Sequence, residues 1–155
     1  MKSNAKIITD FYTAFQNEDA EGMVQWYSDA ITFEDPAFGS LSGIAAKNMW
    51  RMLCDNSKDL KVTFHVLAET GNTVTAHWEA IYTFSKTGRI VHNKVAATFT
   101  LEDGLIIDHR DHFNLWTWSQ QALGTAGWLV GWSSSFRQKL QKQTQKLLSE
   151  YTSKH

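Results

Sequence analysis

The chain has 155 residues, of which 43% are hydrophobic, 13% aromatic and 20% charged, and seven are Trp. That length argues for one domain, and that composition for a packed core, which excludes disorder as the overall state. Fifteen Lys and Arg against 16 Asp and Glu leave a net charge of -1, which excludes a broad electrostatic footprint for nucleic acid.

The charge balance is nevertheless local, because residues 133–155 carry five basic side chains and a single acidic one, Glu150. Cys54 is the lone cysteine, so neither an intramolecular disulfide nor a Cys-rich zinc pattern is available. Residues 1–10 lack the charged start and apolar run of a signal peptide, and no stretch of about 18 apolar residues occurs. The sequence therefore reads as that of a soluble, cytoplasmic protein with no membrane partner.

Helices are expected first. Residues 4–17 place Ile7, Ile8, Phe11, Ala14 and Phe15 on one helical stripe. Residues 20–28 read as a shorter helix burying Met23, Val24 and Tyr27, and a third helix capped by Ser42 runs through Ile44, Met49, Trp50 and Leu53. Between the second and third lies a short strand, Ile31 to Asp35, with Ile31, Phe33 and Asp35 on one side, followed by the only proline, Pro36.

From residue 61 the period changes to two. Val62, Phe64, Val66 and Ala68 alternate with polar residues, and so do Val74, Ala76, Trp78, Ala80, Tyr82 and Phe84. Val91, Asn93, Val95, Ala97, Phe99 and Leu101 follow, then Leu105, Ile107, His109, Asp111, Phe113 and Leu115. Helices followed by an antiparallel meander with one buried face predict an α+β domain. Opposed residues in a hairpin share a face. A three-residue loop at Glu102-Asp103-Gly104 is therefore expected to set Leu101 opposite Leu105 and Ala97 opposite His109. The loop Ser85 to Gly88 is expected to pair Tyr82 with Val91 and Ala80 with Asn93.

Four polar residues interrupt the apolar faces: Asp35, Asn93, His109 and Asp111. A buried carboxylate without partners costs several kcal/mol or becomes neutral, so such residues are either satisfied in pairs or line a wet cavity. A structural His109–Asp111 pair would account for two of them. All four on one surface, ringed by Trp78, Tyr82, Phe99 and Phe113, point instead to a pocket. A carboxylate beside an imidazole that titrates near neutrality suits proton transfer next to a carbonyl. Arg110 and His112 alternate to the opposite face, and no catalytic zinc spacing is present, so neither a metal nor a cofactor is expected.

The stretch Phe11 to Phe38, with its helix, Asn17-Glu18-Asp19, a second short helix and Ile31-Thr32-Phe33-Glu34-Asp35-Pro36, resembles the ketosteroid isomerase and SnoaL-like families of the NTF2-like superfamily. The order of elements through residue 115 agrees. The resemblance implies three helices packed into a strongly curved sheet, a cone with a deep apolar pocket. Asp35 in Glu34-Asp35-Pro36 matches the isomerase's general base, and the proline biases it toward extended backbone. The isomerase's phenolic donor falls on Phe11 and its protonated carboxyl donor near Ala97, so that enzyme's oxyanion hole is missing. Tyr12 is one residue along the helix, roughly 100° away, and is not counted as a substitute. Asp111 falls where SnoaL-like polyketide cyclases carry an Asp base, and a His with carboxylates is similar to the arrangement in scytalone dehydratases.

After residue 115, Trp116, Trp118, Trp128 and Trp132 are too many rings to leave in water. Residues 133–151 read as an amphipathic helix with Phe136, Leu140, Leu147, Leu148 and Tyr151 on one side. Residues 1–115 are thus expected to form the cone and residues 116–155 an extension docked on it. The functional expectation is a protein that binds a small apolar carbonyl compound in the cone, with cofactor-independent proton transfer of the isomerase, cyclase or dehydratase type as the chemistry open to it. Asp111 is expected to serve as base, His109 as its partner or the acid, and Asp35 as a second carboxylate. Substrate binding is assigned to Asn93, Tyr82, Trp78, Phe99, Phe113 and Trp50, and the assembly to a homodimer. The alternative is a non-catalytic binding module on the same cone.

Overall fold

The computed structural model describes residues 2–155. Its six strands form one curved, open sheet in the order β2-β1-β6-β5-β4-β3, where β1 runs parallel to β6 and every other pairing is antiparallel. The strands are β1 (Tyr27–Asp35), β2 (Gly39–Ser42), β3 (Lys61–Thr70), β4 (Thr73–Phe84), β5 (Arg89–Glu102) and β6 (Leu105–His112). Helices α1 (Asn4–Gln16), α2 (Ala20–Val24) and α3 (Ile44–Asn56) supply the apolar side chains that fill its inner face. Ile8, Phe11, Phe15, Met49 and Trp50 meet Val74, Ala76, Val95, Phe99 and Ile106 in one buried cluster.

Local chemistry sets the helix starts. Ser3 caps α1 by accepting the Lys6 N–H at 3.1 Å, and Asp19 caps α2 by accepting the Gly22 N–H at 2.9 Å. The expected helix over residues 20–28 stops at Val24, because five residues form too little helix to hold on their own. The sheet captures the chain instead: Trp26 C=O accepts from Ile106 N–H at 2.7 Å, and Tyr27 opens β1. Ser42 does not cap α3. It pairs with Thr32 in β2, a strand the sequence pattern did not announce. Gly43, at φ 59°, turns the chain directly into the helix with no side-chain cap.

The β4–β5 hairpin has the expected register, Tyr82 opposite Val91 and Ala80 opposite Asn93. The β5–β6 hairpin does not. Asp103 and Gly104, at φ 53° and 79°, form a two-residue turn of the kind Asp-Gly favours, so Glu102 opposes Leu105. A bulge between Thr100 and Leu101 then shifts the ladder, placing His109 opposite Phe99 and Asp111 opposite Ala97. The inserted residue reverses the face of the strand's start, so Ile106 is wholly buried while Leu105 is exposed. His109 and Asp111 keep the inner face.

Because β6 has eight residues against fourteen in β5, the start of β5 pairs with β4 on one side and has no strand on the other. Helix α4 (Leu115–Leu123) takes that edge, where Gln121 Oε1 accepts the His92 N–H at 2.6 Å and Trp118 is buried. Helix α5 (Thr125–Val130) folds back on α4. The four Trp rings do not all dock, since Trp128 and Trp132 are 56% and 71% exposed. Helix α6 (Ser134–Lys154) lies on α3 and on the β1–β2 loop. It buries Leu148, while Leu147 is turned outward. Among the described residues no helix is long and apolar enough to cross a membrane.

Candidate active site

His109 sits at the bottom of the inner face with no exposed surface. Its ring lies between Phe99, with centroids 4.0 Å apart, and Trp50, 6.0 Å away and nearly parallel at 7°. Nδ1 is 2.7 Å from Tyr27 Oη and Nε2 is 2.8 Å from Asp111 Oδ1. Trp50 Nε1 donates to the same Tyr27 oxygen at 2.8 Å. Burial holds the Tyr27 phenol well above its ordinary pKa, so it keeps its proton. With the indole filling an acceptor position of Tyr27, that proton goes to His109 Nδ1, which leaves Nε2–H to donate to Asp111. The sequence orders this chain Trp50, Tyr27, His109, Asp111 across α3, β1 and β6.

Asp111 also accepts a long bond from Trp78 Nε1, at 3.4 Å. It ends the relay, and although its side chain is only 2% exposed, the residue lines a cleft of about 390 Å³ together with Asp35. Asp35 closes β1, and its Oδ1 accepts the N–H groups of Ala37 at 2.9 Å and Phe38 at 2.6 Å, an Asx turn that Pro36 helps to shape. Burial pushes the Asp35 carboxyl up to about 7; the negative charges of Asp111 and Glu34 add to the rise and the two N–H bonds oppose it. The cleft thus holds a carboxyl raised to about 7 beside Asp111, which accepts from His109 Nε2 and Trp78 Nε1.

The remaining walls come from the β1–β2 turn, the end of β6 and the first half of α6, including Arg110, His112, Arg137 and Gln141. The rings assigned to substrate binding lie elsewhere. Trp50 and Phe99 are spent on sandwiching His109, Trp78 and Phe113 are buried core residues, and Tyr82 Oη accepts from Trp118 Nε1 at 2.8 Å. Asn93 is half-buried on the inner face opposite Ala80, away from the cleft walls. The large rings fill the inner face, and the cleft lies at the ends of β1 and β6, where Asp35 and Asp111 meet Glu34, Arg110 and His112, which alternate to the opposite face.

Tyr12 is a residue that sequence reasoning set aside. It is wholly buried, stacked on Phe64 at 5.2 Å, and its hydroxyl has no hydrogen-bond partner among the described residues. Burial first, then the charge of Asp111, pushes its phenol well above the ordinary value. Tyr27, read from sequence as a helical core residue, is the other. Its signal is a lone hydroxyl on an apolar face, the same signal that marked His109. No group of His, Cys, Asp and Glu among the described residues has metal-binding geometry.

No curated protein matches the chain. Among solved structures, a protein of ketosteroid isomerase-like fold from Catenulispora acidiphila, in complex with trimethylamine, is 15% identical over 77% of this chain and 94% of its own, with a TM-score of 0.67. IdmH of Streptomyces antibioticus, proposed to be a polyketide cyclase, is 18% identical over 77% and 98%, at 0.65. An LEH-like epoxide hydrolase of M. tuberculosis is 20% identical over 81% and 93%, at 0.64. These likenesses show the NTF2-like fold. The model of the SnoaL-like domain matches residues 8–109, and the chain belongs to that family.

Proposed function

We propose that the Asp35–Asp111 cleft binds a small carbonyl-containing molecule and moves a proton on it without a cofactor, as an isomerase, cyclase or dehydratase does. The observation that carries this reading is that one cleft is lined both by Asp35, whose carboxyl burial pushes up to about 7, and by Asp111, braced from behind by His109. Asp111 would remove the proton from the carbon next to the carbonyl, the C–H electron pair becoming the enolate. The Asp35 O–H would donate to the carbonyl oxygen, or to a hydroxyl that leaves as water. His109, sealed from the cleft, is the partner of the base and not the acid. The polyketide cyclase and epoxide hydrolase names of the structural neighbours support small-molecule chemistry in such a cleft.

A screen of enolisable ketones and β-hydroxy ketones tests this. Turnover should fall as pH rises through about 7, where Asp35 loses its proton, and Asp111→Asn should lower the rate roughly a hundredfold or more. Ligand binding that Asp111→Asn leaves intact, with no turnover of any compound, would establish the binding-module alternative.

We further propose a homodimer, with residues 1–115 as the cone and the extension at the seam. Trp128, Leu129, Val130 and Trp132 present a contiguous apolar stretch in which three of the four are more than half exposed. The indole N–H groups of Trp116 and Trp132 already donate to Trp128 O and Leu129 O. Their rings can therefore leave water without stranding a donor. Sedimentation should give a dimer that Trp128→Ser with Trp132→Ser dissociates; a wild-type monomer at every concentration overturns this assembly. A cytoplasmic setting fits Cys54, a lone buried thiol that burial pushes up to about 11.

A further inference from the structure

Helix α6 lies outside residues 8–109, yet besides lending Arg137 and Gln141 to the cleft wall it reaches Asp35 by an indirect path. Gln141 Nε2 donates to Pro36 O at 3.1 Å, Thr144 Oγ1 to Ala37 O at 2.8 Å, and Gln145 Nε2 to Phe38 O at 2.7 Å. Three successive carbonyls of the β1–β2 loop are thus held by one face of the helix. The first two of these carbonyls belong to the peptide units whose N–H groups, Ala37 and Phe38, donate to Asp35 Oδ1. Each unit accepts from α6 on its carbonyl side and donates to the carboxylate on its amide side. Hydrogen bonds arranged in series in this way polarise one another.

We propose that Gln141 and Thr144 are positioning residues for Asp35, acting through the Pro36–Ala37 and Ala37–Phe38 peptide units to aim and strengthen the two N–H donors that hold its carboxylate. This deepens the reading of Asp35 as the acid of the site and rests on it. It also gives the C-terminal extension a part in the chemistry beyond covering the loop. Gln145 is the internal control, because the carbonyl it binds belongs to the Phe38–Gly39 unit, whose N–H is not among the donors to Asp35. The Thr144 proton is shared with Gln141 O at 3.0 Å, and the shorter bond goes to the loop.

The direction of the effect follows from the chemistry. A weaker N–H bond stabilises the charged carboxylate less, so losing the α6 donor should raise the Asp35 pKa above its already raised value. The charged and titratable groups facing Asp35 are Glu34 from β1, Asp111, Arg110 and His112 from β6, and Arg137 from α6, with the Tyr27 and Tyr82 phenols behind. The variants leave all of them in place.

The test is the Asp35 carboxyl titration followed by carbon NMR in the full chain, with no substrate present. Thr144→Val and Gln141→Leu should each shift the midpoint upward by roughly 0.3 to 1 unit, Thr144→Ser should restore it, and Gln145→Leu should leave it in place while lowering the melting temperature. A midpoint unmoved by Thr144→Val with Gln141→Leu, or moved equally by Gln145→Leu, overturns the proposal. Should the double variant not fold, Thr144→Val alone, an almost isosteric change, carries the same decision. Because the readout is a titration and not turnover, an absence of catalysis would sink the proposed function without touching this result. A pH–rate profile that ignores the shifted midpoint would remove Asp35 as the acid while leaving its hold by α6 intact.

Discussion

His109 Nε2 lies 2.8 Å from Asp111 Oδ1; the imidazole has no surface of its own, and of the two residues only Asp111, its side chain 2% exposed, is among those lining the cleft. Any contribution of His109 to chemistry therefore passes through Asp111. Replacing His109 by Phe keeps the ring stacking on Phe99 and Trp50 but takes the acceptor from the Tyr27 O–H and leaves Asp111 only the long bond from Trp78. Each buried group deprived of its partner costs about 1 to 3 kcal/mol, so the variant should lose roughly 2 to 6 kcal/mol and melt well below the wild type. A His109→Phe protein of unchanged melting temperature would show that the Tyr27–His109–Asp111 chain contributes nothing to stability.

Asp35 links the site to stability with a definite sign. Its pKa is raised from an ordinary value of 3.8 to about 7, so the folded state binds the proton more tightly than the unfolded chain. The folded state is then favoured at low pH, and this group's contribution declines as pH climbs from about 4 to about 7. Asp35→Asn removes the titration while its amide oxygen can still accept the Ala37 and Phe38 N–H groups. At pH 8 the variant should melt higher than the wild type, by roughly 3 to 6 °C for a gain of about 1 to 2 kcal/mol. The gain should vanish near pH 4. Melting curves that differ by the same amount at both pH values would overturn the assignment of a raised pKa to Asp35.

The inner faces of β4 and β5 are legible in the sequence because period-two alternation over long strands leaves one consistent register, and Tyr82 does oppose Val91. The β5–β6 register is not. A bulge carries no residue-type signature, and here it moves His109 from the expected place opposite Ala97 to one opposite Phe99. Parity survives because the two-residue turn and the bulge offset each other, which is why His109 and Asp111 are still found inside. The sealing of His109 depends on rings from α1 and α3 arriving over the sheet, a tertiary event that alternation cannot encode. Gln141 and Thr144 act on backbone carbonyls, which every residue has, so nothing in the sequence marks their targets.

Gly127 decides how the extension is held. A Cβ built there would lie 1.9 Å from Ser119 O and 2.3 Å from Ser119 C, both backbone atoms of α4 that have nowhere to go. The glycine therefore permits α5 to lie against α4, and that contact in turn faces Trp128 and Leu129 outward. Gly127→Ala should force the two helices apart, at a cost in the range of about 1 to 3 kcal/mol that overpacking brings. Gly71→Ala is the comparison: its φ of 59° is unfavourable for alanine, but no atom lies within 4 Å of the added carbon. It should therefore show only the backbone strain, on the order of 1 kcal/mol. Because Trp116 Nε1 donates to Trp128 O at 3.1 Å across the α4–α5 contact, Gly127→Ala should also change the tryptophan fluorescence, whereas Gly71→Ala should not. A Gly127→Ala protein with wild-type melting and emission would mean that α5 does not rest on α4 in solution, and the apolar face proposed for the dimer seam would go with it.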